Sequence, residues 1–203
     1  DNKKFSIGIF IDLSKAFDTL DHNIILEKLN LYGIRGIAND WFKSYLMHRL
    51  QYVQIADFKS NYLEVTYGVP QGSILGPLLF ILYINDIVNV SKLLHTIMFA
   101  DDTNFFISDS NLNNLVSTIN NELTKISVWF KLNKLSINIK KTNYIIFATK
   151  TKPITNNLNI FIDNIKIEQV SNSKFLRVIL SQNPPWTEHI HMIKQKIAKT
   201  PRI

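Results

Sequence analysis

Residues Ile97–Ile107 read IMFADDTNFFI. Apolar runs flank an adjacent pair of acids, Asp101 and Asp102. This pattern predicts a strand–turn–strand hairpin with both carboxylates at its tip. A second stretch, Ile7–Asp12, reads IGIFID and predicts a buried strand that delivers Asp12 at its end. A carboxylate at the end of an apolar strand is costly to bury unless a cation offsets its charge. With Asp12 beside the hairpin tip, three carboxylates converge, enough to hold a pair of hard divalent ions. Residue type and spacing alone leave open three unrelated acids, because aspartate is common in turns.

Around these two stretches the chain mixes strands and helices. Asp21 is placed to cap a helix from His22 to about Leu31, which Gly33 ends. Ile37–Leu46 reads as a second amphipathic helix. Tyr52–Ala56 and Tyr62–Tyr67 alternate like a hairpin joined by Asp57–Asn61. Gly68–Gly76, GVPQGSILG, is a glycine-punctuated loop, and Pro77 suits the first position of a helix through Ile87. His95–Phe99 and Asn104–Ser108 are the hairpin strands. Leu112, Leu115, Ile119, Leu123, Ile126 and Phe130 repeat at helical spacing within Asn111–Leu132.

Thr142–Ala148, Leu158–Ile162, Ile165–Ile167 and Lys174–Leu180 read as further strands. A basic helix starts near Thr187, after Pro184–Pro185. The order lacks the regular alternation of a doubly wound sheet. The expectation is an α+β fold: an antiparallel sheet with helices packed on one face. The best candidate boundary is Lys150–Asn157, which divides residues 1–150 from 151–203.

Composition narrows the chemistry. The 203 residues are 46% hydrophobic, enough for a sizeable core. Cysteine is absent, which excludes disulfides, thiolate zinc sites and a cysteine nucleophile, and fits a reducing compartment. The five histidines show no zinc spacing. The longest apolar run, Ile74–Ile84, is too short to span a bilayer, so no membrane partner is expected. The net charge of +7 is unevenly spread: residues 140–203 carry 11 Lys/Arg against 3 Asp/Glu. A basic end behind an acidic region suits a polyanion held near a metal site, though charge alone equally describes a solvated lysine face.

FIDLSKAFDTLDH (Phe10–His22), GVPQGSILGPLLFILYINDI (Gly68–Ile87) and FADD (Phe99–Asp102) occur in that order. Together they resemble the reverse transcriptase of non-long-terminal-repeat, jockey-like retrotransposons. LNLYGIRG (Leu29–Gly36) and WFKSYLMHRLQYVQI (Trp41–Ile55) resemble the connecting segments. The resemblance implies a polymerase palm over residues 1–150, with a primer-grip hairpin and the start of a thumb over 151–203. It implies RNA-directed DNA synthesis by two Mg2+ ions, with Mn2+ able to substitute, on an RNA template and DNA primer with deoxynucleoside triphosphates.

Residue by residue, the resemblance makes Asp12, Asp101 and Asp102 the metal ligands, with a main-chain carbonyl from Leu13. Phe17 becomes the aromatic gate that excludes a 2′-hydroxyl; from the residues alone it reads as core. Pro70, Gln71 and Gly72 become the loop against template and nucleotide. Lys141, in the N-x-x-K-T word Asn138–Thr142, becomes the proton donor to the leaving pyrophosphate. Phe175, Leu176 and Arg177 become the primer grip, and Trp186 and His189 a W-x-x-H pair with His189 structural. The implied setting is a retroelement ribonucleoprotein, nuclear and/or cytoplasmic.

Two positions depart from the family pattern. Arg177 stands where a glycine is usual and Ser181 where an aspartate is, as in an ageing element copy. The chain is expected to be a piece of a longer polypeptide, with most of the fingers outside it and the isolated piece inactive. The rival readings are a non-catalytic nucleic-acid-binding domain and an RNA-templated RNA polymerase. The oligomeric state is left open.

Overall fold

The structure, a computed structural model, describes residues 4–148, 158–176, 178–182 and 187–199. The boundary at Lys150–Asn157, Arg177, Pro184–Pro185 and Trp186 lie outside them. In chain order the elements are β1 (Phe5–Ile11), α1 (His22–Leu31), α2 (Ile37–Leu46), β2 (Arg49–Gln51), β3 (Gln54–Ile55), β4 (Phe58–Lys59) and β5 (Leu63–Val65). Then follow α3 (Leu75–Ile84), β6 (His95–Phe99), β7 (Asp102–Asp109), α4 (Leu112–Leu132), β8 (Asn143–Phe147), β9 (Phe161–Ile162) and β10 (Ile165–Lys166). The last are β11 (Glu168–Gln169), β12 (Asn172–Phe175), β13 (Val178–Ser181) and α5 (Thr187–Lys199). They fall into two compact units. The first comprises Asp1–Asp12, Ser91–Ser127 and Ile137–Ile203, and the second Leu13–Val90 and Val128–Ser136.

The first unit is built on a five-stranded sheet in the order β11-β8-β1-β7-β6. Its strands are antiparallel except β11, which runs parallel to β8 and makes the sheet mixed rather than purely antiparallel. Side chains alternate across a strand. Ile7, Ile9 and Ile11 of β1 therefore share a face with Phe105, and all four are buried together with Leu115, Ile119 and Leu123 of α4. On the other face Phe10 and Phe106 meet edge-on, and Phe175 of β12 packs on both rings. Asn111 caps α4 by accepting from the Asn113 and Asn114 amides.

The expected single strand Lys174–Leu180 is instead the β12–β13 hairpin, with Phe175 opposite Val178. Leu176, at the turn, has φ 46°. The bend spans only two residues and lacks glycine, proline, asparagine or aspartate, so its composition does not mark a turn.

The second unit packs α1 against α2 and α3. Asp21 caps α1 as its position predicts, accepting from the Asn23 and Ile24 amides. Lys28 is buried, donates to Asp86 Oδ1 at 2.5 Å, and lies over the rings of Tyr83 and Trp129. Helix α3 begins two residues before Pro77, because the Ser73 hydroxyl accepts from the Gly76 amide and starts the turn. Pro77 is tolerated there, since amides of the first turn have no partner within the helix. After Ile84 the helix tightens to 3-10 over Asn85–Asn89.

The expected Tyr52–Tyr67 hairpin exists with different bounds. β2 pairs with β5, β3 with β4, and the bend falls at Ala56–Asp57, where Ala56 has φ 51°. Among the described residues no helix is long and apolar enough to cross a membrane.

Candidate active site

In the first unit, sheet register gathers the three aspartates. β1 and β7 pair from Phe5↔Asp109 to Ile11↔Thr103, so Asp12 follows the last paired residue of β1 at the end of the sheet where Asp102 begins β7. β6 and β7 pair through Phe99↔Asp102, which leaves a two-residue turn of Ala100 and Asp101. Ala100 has φ 53°, as the right-handed twist of a tight hairpin requires. Asp12 is half-buried, whereas Asp101 and Asp102 are exposed. The acids therefore escape the full burial cost expected of them.

They nonetheless feel one another. Loss of hydration, then the Asp101 carboxylate, then that of Asp12, hold the Asp102 carboxyl above its ordinary range, and Lys174 acts in the opposite sense. These carboxylates are hard oxygen donors, the donor type that suits Mg2+ or Mn2+. Among the described residues no three acidic or histidine side chains close tightly enough to enclose a metal ion. Register brings the carboxylates to one end of the sheet without gathering their oxygens round a common point.

Lys174 is a charged neighbour that sequence reasoning missed. Its signal was its place immediately before Phe175 in the hairpin word. Phe175 spends its ring on Phe10 and Phe106 and so anchors that hairpin, while Leu176 stands exposed at the turn. Arg177 lies outside the described residues. His189 accepts from the Ile179 amide at 3.3 Å, a structural contact. Lys141 is exposed in a turn, its amide donating to the Asn138 carbonyl at 3.1 Å.

In the second unit Phe17, Pro70, Gln71 and Gly72 line one cavity of about 340 Å³, with Val69, Ser73, Gly76 and Pro77. Phe17 lies against Phe80, ring centroids 4.9 Å apart. Gln71 donates to Asp18 Oδ1 at 2.7 Å, so Asp18 steadies the loop that lines the cavity. Gly68 and Gly72 both have positive φ, 81° and 79°. A Cβ on Gly68 would also lie 2.8 Å from the Asp18 carbonyl oxygen, so only glycine fits. Buried His22 bonds to the Gly68 carbonyl through Nε2 and fixes this loop to the start of α1. Leu13 has its side chain in the core.

The sequence matches the model of the family described as reverse transcriptase (RNA-dependent DNA polymerase) over residues 1–180. It is 29% identical to the probable RNA-directed DNA polymerase from transposon BS of Drosophila melanogaster, over 94% of this chain and 22% of that protein. It is 25% identical to the RNA-directed DNA polymerase from mobile element jockey of the same species, over 96% of this chain and 22% of that protein. The chain thus spans about a fifth of the length of these curated relatives. Among solved structures, apo telomerase from Candida tropicalis matches with a TM-score of 0.59 at 14% identity, over 87% of this chain and 34% of that one. Telomerase from Candida albicans matches with a TM-score of 0.56, also at 14% identity, over 94% of this chain and 34% of that one. These likenesses bear out the α+β polymerase-palm fold. The chain belongs to the reverse transcriptase family.

Proposed function

We propose that this member of the reverse transcriptase family carries the catalytic palm of an RNA-directed DNA polymerase from a non-long-terminal-repeat mobile element. It would extend a primer 3′-hydroxyl with deoxynucleotides on an RNA template. The observation that carries this reading is the sheet register that ends at Ile11↔Thr103, so that Asp12 leaves β1 at the end of the sheet that carries Asp102 and the Ala100–Asp101 turn, where Asp12 and Asp101 both act on the Asp102 carboxyl. Asp12, Asp101 and Asp102 would hold two Mg2+ ions, or Mn2+, with a main-chain carbonyl from Leu13. When bound, such ions activate the attacking hydroxyl and neutralise charge on the leaving pyrophosphate.

The remaining work is positioning. Phe17, which packs on Phe80, would be the ring that excludes a 2′-hydroxyl. Gln71, its amide held by Asp18, and Gly72 line the cavity and would contact the nucleotide, and Pro70 would contact the template. Exposed Lys141 donates a proton to the departing pyrophosphate. Phe175 and Leu176, with Arg177 next in sequence, would grip the primer. The working partners are template RNA, primer and deoxynucleoside triphosphates, in a ribonucleoprotein of the nucleus and/or cytoplasm.

Asp101→Asn in the complete parent polypeptide tests this. Metal-dependent primer extension should vanish while template–primer binding persists. Undiminished synthesis in that variant removes the proposal. Nucleic-acid binding without synthesis in the unaltered protein favours the non-catalytic reading instead.

A further inference from the structure

Asp12 is the first residue of β1 beyond the sheet ladder. Pairing with β7 ends at Ile11↔Thr103 and pairing with β8 at Phe10↔Asn143. Its main chain is held by the 138–142 loop instead. The Asp12 amide donates to Thr142 Oγ1 at 3.2 Å, and the Asn138 amide donates to the Asp12 carbonyl at 2.8 Å. That loop is closed on itself, because the Lys141 and Thr142 amides both donate to the Asn138 carbonyl, at 3.1 and 2.9 Å. Thr142 is completely buried, 0% exposed. A buried hydroxyl is costly unless it is used, and a β-branched side chain holds it in a stiff rotamer.

We infer that Thr142 is a positioning residue for Asp12: its hydroxyl and the Asn138 peptide clasp the main chain of that carboxylate from both ends. The inference rests on the polymerase reading above and deepens it. Residue 12 must present its carboxylate to a metal at one angle, yet it sits where ladder hydrogen bonds have stopped. The clasp replaces them. The same turn holds the main chain of Lys141, the proposed proton donor, through its amide bond to the Asn138 carbonyl. Groups that orient metal ligands from behind affect metal affinity or activity by roughly 10–100-fold.

The test uses the full-length parent polypeptide, with Mn2+ as probe. Free Mn2+ is followed by electron paramagnetic resonance to give a binding constant, beside kcat and the KM for deoxynucleotide in primer extension. Thr142→Val keeps shape and removes the hydroxyl, and Thr142→Ser keeps the hydroxyl and removes a methyl. Thr142→Val should bind Mn2+ roughly 10–100-fold more weakly and lose kcat by a similar factor. KM should stay within about twofold, because the substrate contacts are untouched. Thr142→Ser should stand close to the unaltered protein on both readouts.

Where Thr142→Val does not fold, the pair Thr142→Ser and Thr142→Ala decides, since both lack the methyl and differ only in the hydroxyl. Equal Mn2+ affinity with and without the hydroxyl overturns the inference while leaving the polymerase reading intact. Failure of the unaltered protein to bind Mn2+, or binding undiminished by Asp12→Ala, overturns that reading itself.

Discussion

At the scale of single residues, local environment assigns different work to side chains of one type. Loss of hydration and the neighbouring Asp101 and Asp12 carboxylates hold the exposed Asp102 carboxyl above its ordinary pKa. Asp21 is shifted the opposite way. Burial raises its carboxyl, but Lys134 at 2.6 Å and the Ile24 and Asn23 amides outweigh burial and hold it below the usual range. A carboxyl depressed in the folded state contributes stability that is present above its unfolded value, near pH 4, and lost as pH falls through the folded value. Urea midpoints measured downward from pH 5 should therefore fall more steeply for the unaltered protein than for Asp21→Asn. Asp21→Ala should cost about 1–2 kcal/mol at neutral pH, mostly through the lost cap. Phe17 gives a functional counterpart. Phe17→Val shortens the ring that lines the cavity, so the ratio of ribonucleotide to deoxynucleotide incorporation in the parent enzyme should rise by about tenfold or more, from a pocket discrimination of 1–3 kcal/mol. An unchanged ratio would return Phe17 to the core reading that the residues alone favoured.

At the scale of elements, helices were more legible than short strands. α1, α2 and α4 fall within a residue of where capping residues and apolar spacing put them, because those signals are local and repeat every turn. The start of α3 was misplaced because a serine three residues ahead of Gly76 outranked a proline as the initiating signal. The strands after residue 160 are two to four residues long, too short for alternation to develop, and β11 is strand only because it lies along β8. The β6–β7 turn matters most. Ala100 occupies a positive φ that L-residues with a Cβ adopt at a cost, beside the two acids it displays. Ala100→Gly should relieve that cost and raise thermal stability by about 0.5–1 kcal/mol. Its unfolding transition should move up; a fall would mean that the Cβ packs favourably where the backbone argument says it strains.

At the scale of the whole molecule, charge governs the partner. The chain carries +7 overall, concentrated after residue 140, and a template–primer is a dense polyanion. Binding of template–primer by the parent polypeptide should weaken linearly on a log–log plot against salt, and replacing Lys174 by Met should reduce that slope by about one counterion if it touches phosphate. An unaltered slope would confine Lys174 to its neighbour Asp102. The sequence by itself determined the α+β class, the family and most of the helices, because these depend on local spacing and on motif words many residues long. Tertiary structure alone decided that Asp12 and Asp102 come to the same end of one sheet, that Asp18 holds Gln71, and that Thr142 reaches the amide of a residue 130 positions earlier. Those relations are set by strand register and loop closure, which couple residues distant in the chain and leave no periodic trace in it.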